Sequence, residues 1–375
     1  MNKYILLSAV YLTASVWADS GVAATQNNFS PVVQQPVTIQ PVTLPPARPI
    51  ALHGLYVFGD VLYWHADMDE TDWATKAIMD NTNPQSIKNK QKNYQLDFKW
   101  DWAFRVGAGY NTRYDDWDFR TYYTWFQTEN SQAAGYWQRA LPQTILDLNS
   151  DLLINQGAGF KQGKIDWSLH YSMIDADIGR WFYISRAIQL RPHLGIKGGV
   201  INQKINQNFV WETNSNPGAS VSKTHAKNDF WGYGMTLGFN TNWTLGSLGS
   251  HYFSIFGDLA GAFMRGYFDL SYHEKTFSAA DGSVLSSFHP THLSRKLGIP
   301  VFEAMLGLGW DTTFNEDRCS VAVKLGYEFQ YWFKQLHRVT DEVIKADPNG
   351  RKFVFERVLG DLAFQGLTLN CRFDF

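Results

Sequence analysis

The chain is poor in cysteine: Cys319 and Cys371 are the only two in 375 residues, too few for a disulfide framework. It also lacks a charge surplus. Lys and Arg number 33 against 35 Asp and Glu, for a formal charge of −2, so no basic field suggests a nucleic-acid partner. Past the first 24 residues no apolar run reaches the roughly 20 residues that a helical membrane span needs. A helical membrane protein is thereby excluded. A membrane-spanning strand escapes that exclusion, because only every second residue faces lipid.

What the chain has in quantity is aromatic side chain, at 16% with 15 Trp, 18 Tyr and 26 Phe. From Gly54 onward these sit in period-two patterns, the mark of strands with two unlike faces. Leu367, Leu369, Cys371, Phe373 and Phe375 alternate with Thr368, Asn370, Arg372 and Asp374. Val321, Val323, Leu325, Tyr327, Phe329, Tyr331 and Phe333 alternate with Ser320, Lys324, Glu328 and Gln330. Segments around 102–110, 188–196, 231–239 and 302–310 do the same. A soluble β-sandwich also alternates, but its inward faces should be mainly aliphatic. Here Tyr63-Trp64, Trp100, Trp102, Trp125, Trp181 and Tyr331-Trp332 cluster near strand ends, as belts at the two membrane interfaces require.

The connections run short, long, short, long. Short ones fall near 112–116, 181–187, 244–250 and 314–318, and long ones near 67–95, 130–162, 204–227, 273–298 and 335–358. That asymmetry belongs to an antiparallel up-and-down transmembrane β-barrel, with short periplasmic turns and long external loops. The expected class is all-β, with about 10–12 strands over residues 54–375. Ahead of it, Lys3 and the apolar stretch Tyr4–Trp17 read as a signal peptide of residues 1–18, with an alternative cut after Ala24. Residues 25–50 carry a five-residue repeat beginning at Pro31, Pro36 and Pro41. Proline at that density favours an extended periplasmic linker and cannot build a packed core.

Two stretches carry a family resemblance. One is Gly54-Leu-Tyr-Val-Phe-Gly-Asp60-Val-Leu-Tyr-Trp64-His-Ala66. The other is Trp102-Ala-Phe-Arg105-Val-Gly107-Ala-Gly109-Tyr-Asn111, running into Asp115-Asp116-Trp117-Asp118 and Tyr122-Tyr123-Thr124-Trp125. Together with Arg191-Pro192, Trp231-Gly232-Tyr-Gly234 and the terminal Arg372-Phe-Asp-Phe375, they resemble the major outer membrane protein of Legionella and related proteins of environmental chlamydiae. The resemblance spans most of the chain after the proline repeat. It implies a pore-forming outer-membrane protein or major surface protein and carries no catalytic residues. It also implies that Phe375 is the aromatic terminus read by the barrel assembly machinery, and that the partners are outer-membrane lipid and lipopolysaccharide, with homo-oligomers compatible.

Charges facing lipid cost a few kcal/mol each near the midplane, so parity assigns the charged strand residues to the interior. These are Arg105, Asp118, Arg120, Arg191, His193, Lys197, Glu303, Asp311, Lys324, Glu328, Arg372 and Asp374. They form a selective pore lining, or they pair across a narrow barrel and plug it. With about ten strands the interior is small, since wide aqueous channels use about 16–18; both readings stand. The alternative function is a non-conducting structural or adhesive barrel acting through its external loops.

Other motifs weigh less. Asp67-Met-Asp69-Glu70-Thr-Asp72 has Asp72 and Ile78 where a calcium loop needs glycine and glutamate, so no metal is expected, and no cofactor. Gly107-Ala-Gly109 and Gly232-Tyr-Gly234 are not phosphate loops, because no helix follows them; inward glycines mark close approach or lumen space. His170 beside Ser172 comes with no acid at a telling spacing, so the chain is not read as an enzyme. Cys319 and Cys371 share the outward parity. They are either a cross-strand bridge near the periplasmic end, two free small apolar residues, or sites of intermolecular crosslinking.

Overall fold

The computed structural model describes residues 53–69, 71–80, 83–142, 159–213, 216–288, 293–315, 318–347 and 350–375. Of the chain's two units, 1–44 lies wholly outside the described residues, with the expected signal peptide and most of the proline repeat. The other, 45–375, holds fourteen strands among the described residues. They are β1 (Gly54–Met68), β2 (Asp72–Asp80), β3 (Asn83–Gln95), β4 (Trp100–Asn111), β5 (Trp117–Pro142), β6 (Gly159–Arg180) and β7 (Phe182–Tyr183). There follow β8 (Ile188–Thr213), β9 (Asn216–Leu248), β10 (His251–Ser278), β11 (Val284–Phe288), β12 (Leu293–Phe314), β13 (Cys319–Asp347) and β14 (Gly350–Asp374).

Ten of these close a ring of antiparallel neighbours. The circuit runs β1, β4, β5, β6, β8, β9, β10, β12, β13, β14 and back to β1. Closure leaves the ring itself no open edge, the condition for strands to cross a bilayer. The hairpin β2–β3 adds to β5, while β7 and β11 pair only with β8 and β10. Hairpins inside the connections therefore do not raise the wall above ten.

Tight turns cluster at the end that holds Gly54 and Phe375. Asp115 and Asp116 both have φ near +55°, as does Asn315, and Gly249 has φ 63°. Those left-handed positions suit Asp, Asn and Gly, which is why the chain can reverse there in so few residues. At the other end the expectation of long loops needs correcting. Residues 204–213 and 216–227 are paired strand, as are 336–347 and 350–358. In water the backbone must still find hydrogen-bond partners, and the hairpins supply them by continuing upward. The 33-residue β9 is about three times the 9–11 residues of a tilted span.

The two wall faces differ as the alternation requires. The outward residues Trp231, Tyr233, Met235, Leu237, Phe239 and Trp243 of β9 are exposed. Their neighbours Thr236, Asn240 and Asn242 are buried inside. Glycines let the inner face pack tightly. A Cβ at Gly109 would strike the Tyr56 ring, and one at Gly107 the Phe58 ring.

Candidate functional site

All twelve charged residues assigned to the interior lie there, and most of them are ion-paired in layers. Nearest the tight turns, Arg372 pairs with Asp374 at 2.5 Å and lies 3.6 Å from the Tyr56 ring centroid. Asp374 also accepts from Ser320 at 3.0 Å. Arg191, 2% exposed, reaches Asp118 through Nε at 2.6 Å and Asp177 through Nη2 at 2.5 Å, and donates Nη1 to Asn240 at 2.9 Å. Arg120 shares Asp177 at 3.0 Å. His193 is buried on β8 two residues along, and Asp311 is buried on β12.

The next layer crosses the lumen. Arg105 of β4 binds Asp60 at 3.0 Å and Glu328 of β13 at 2.7 Å. Glu328 in turn accepts from Gln330 and Thr368, both at 2.9 Å. Lys197 of β8 sits between Asp175 at 2.7 Å and Glu303 of β12 at 2.8 Å. Between these groups remains a cavity of about 160 Å³, whose lining includes Arg120, Lys197, Asp258, Glu303, Lys324 and Arg372. Sequence parity missed Asp60, Asp175, Asp177 and Asp258, although each stands on the inward register of its strand. These acids were the counter-charges that the basic residues needed in a low-dielectric interior.

Farther from the turns the inward residues become apolar. Leu62, Trp64, Phe126, Met173, Ile201, Met264, Ile299, Trp332 and Phe364 form one buried cluster. Its rings span the barrel. Tyr171 of β6 lies 5.0 Å from Phe364 of β14 and 5.8 Å from Trp332 of β13, centroid to centroid. Strands β6 and β13 face each other, with four strands between them on either side. Trp64 stacks on Phe364 at 5.7 Å, and Trp332 meets Phe230 of β9 at 6.3 Å. This septum crosses the whole lumen, and the sequence offered a signal for it. Leu62-x-Trp64-x-Ala66 and Leu362-x-Phe364 put apolar residues on the inward parity, where a water-filled pore would have polar ones.

Above the septum the segment after β1 folds inward. Trp73 packs against Phe209 at 6.3 Å and Phe98 against Trp167 at 4.9 Å, while Trp73 Nε1 donates to Gln132 at 3.2 Å. A smaller cavity of about 50 Å³ lies beneath, lined by Gln203, Gln207 and Asn228 among others. Trp73, Ala74, Leu96 and Phe98 are thus packed into the barrel and do not stand in a free external loop.

The remaining sequence candidates are placed plainly. Cys371 stands opposite Val323 and Cys319 opposite Phe314, and both thiols are free. The hairpin and the outward parity hold, but the register sets the cysteines four residues apart along the wall, too far to bridge. His170 lies edge-on to Trp125 at 6.1 Å, and the Ser172 hydroxyl donates to Tyr123 at 2.9 Å; no carboxylate joins them in the described contacts. Phe375 is exposed on the outer wall, 5.6 Å from Phe373.

A closed ten-stranded barrel with lipid-facing aromatics and an ion-paired interior defines an outer-membrane β-barrel. The family model of the Legionella pneumophila major outer membrane protein precursor matches residues 48–375, and the chain belongs to that family. It is accordingly an outer-membrane protein. Among curated proteins none matches it. Solved structures similar to it include outer membrane protease OmpT from Escherichia coli, 7% identical with a TM-score of 0.35, covering 87% of this chain and 98% of that one. A Pseudomonas aeruginosa FadL homologue is 9% identical with a TM-score of 0.28, over 86% and 90%. The Pseudomonas putida toluene transporter TodX is 7% identical with a TM-score of 0.23, over 86% and 90%.

Proposed function

We propose that this protein is a surface barrel whose lumen is closed to hydrated solutes, and that it acts through the hairpins standing beyond the membrane. The observation that supports this reading is the Tyr171–Trp332 contact between opposite strands, set in a continuous apolar layer. A hydrated ion cannot cross a packed apolar layer without losing its water. Ten strands also leave little room for a bypass.

A second reading is passage of small polar solutes, the porin-like activity that the family resemblance implies. The 160 Å³ cavity supports it, since its walls carry charges of both signs. On that reading the septum is a gate that must move.

Planar-bilayer recording of purified, heat-modifiable protein separates the two. The closed reading expects no conductance steps from the native barrel and clear steps once Trp64, Tyr171 and Phe364 are all changed to Ala. Steady conductance from the native barrel would overturn it in favour of the channel. Ahead of the barrel, we read residues 1–18 as a cleaved signal and 25–50 as a tether. Amino-terminal sequencing of the mature protein should then start at Asp19, or at Thr25 for the second cut.

A further inference from the structure

On the outer wall, where the apolar band meets the external end, β9, β10 and β12 assemble one patch. Register places Trp231 and Lys296 opposite Tyr267 from its two sides, and Tyr233 opposite Arg265. The Trp231 and Tyr267 rings stack at 4.1 Å with 5° between their planes, and Tyr233 continues the stack 6.2 Å from Trp231. Arg265 and Lys296 both lean over Tyr267, at 5.8 and 5.6 Å from its centroid. Both cations are exposed, and among the described residues neither makes an ion pair.

Two lone cations are unfavourable on a wall that faces hydrocarbon and become favourable where anionic headgroups begin. Below them, the exposed Phe263 and Met235 offer apolar surface to acyl chains. One layer farther out on the same face, Asp229 and Asp269 stand opposite each other. Carboxylates accept hydrogen bonds from hydroxyl groups, and flat aromatic rings suit the apolar face of a sugar. The order from membrane to water is therefore apolar surface, cations and aromatic rings, then acceptors. We propose that this patch binds the phosphorylated sugar headgroup of an outer-leaflet glycolipid, with Arg265 and Lys296 on the phosphate. The inference rests on the outer-membrane location and is independent of whether the lumen conducts.

The test uses the full-length folded barrel in detergent, with retained lipid measured by native mass spectrometry. Diphosphoryl lipid A should be retained at least about tenfold better than its dephosphorylated form. Arg265→Gln with Lys296→Gln should erase that preference, while Arg265→Lys alone keeps most of it, because a point charge still serves a phosphate. Heat-modifiable gel mobility reports folding; if the double variant fails to fold, the exposed single change Lys296→Gln replaces it and should reduce the preference several-fold. Equal retention of the two lipids by the native barrel, or an undiminished preference in a folded variant, overturns the assignment.

Discussion

Two unlike materials fill the lumen, stacked one above the other. Toward the tight turns it is filled by ion pairs, and at mid-height by aromatic rings. The ion-paired layers keep a 160 Å³ cavity, because a guanidinium and its carboxylates hold fixed distances and leave gaps between pairs. In the aromatic layer the rings meet at centroid distances of 5.0 to 6.3 Å, stacked in one pair and edge-on in others, because rings accommodate one another at many angles. The two also fail differently. An aromatic contact loses area when one ring goes, whereas an ion pair strands a buried charge when one partner goes.

The sharpest break of that contrast is at Arg105. Changing it to Met leaves Asp60 and Glu328 without their shared cation, and should cost about 3–5 kcal/mol in reversible urea unfolding in vesicles. Adding Asp60→Asn and Glu328→Gln should recover most of the loss, since no charge is then stranded. Phe364→Leu in the septum strands nothing and should stay within the ordinary core range of about 0.5–3 kcal/mol. If Arg105→Met alone proves as mild as Phe364→Leu, the layer is better hydrated than its geometry implies.

A smaller effect tests how tightly the charged layer is set. A Cβ at Gly179 would stand 2.5 Å from Cζ of Arg191, so Gly179→Ala must push the guanidinium off Asp118 and Asp177. The expected cost is about 1–3 kcal/mol, the usual range for overpacking. Gly246 on the same wall has open space around it and should accept Ala with little change. Equal responses at the two positions would argue that Arg191 moves freely.

How much of this was legible follows the same division. Wall, orientation and inward charges could be read because alternation is a local signal, and Arg191 or Glu328 sits on an unambiguous parity. The acids Asp175 and Asp177 are equally on parity, but nothing local marks them, because the cations they pair with, Lys197, Arg191 and Arg120, lie on neighbouring strands. The septum was written as Leu62, Trp64 and Phe364 on the wrong face for a pore. Its meaning depends on which strands face one another across the barrel, and that is not local. The cysteines show the limit most simply. Parity was right for both, yet register placed Cys371 beside Val323, because the pairing is fixed by the whole hairpin and not by the two residues.

The smallest expected effect lies where the two materials join. Tyr171 belongs to the septum by its ring, but its hydroxyl donates to Gln330 Oε1 at 3.3 Å, and Gln330 donates to Glu328. Tyr171→Phe keeps the ring contacts with Phe364 and Trp332 and removes only that bond. A neutral hydrogen bond is worth about 0.5–1.5 kcal/mol net, so the loss should fall there. Gln330→Leu in the same background should then add less than it does in the native protein, because the bond it breaks on the Tyr171 side is already gone. Strict additivity in that double-mutant cycle would mean the two layers are merely adjacent. A coupling near the cost of the single change would mean that the septum holds Gln330, and through it Glu328, in place.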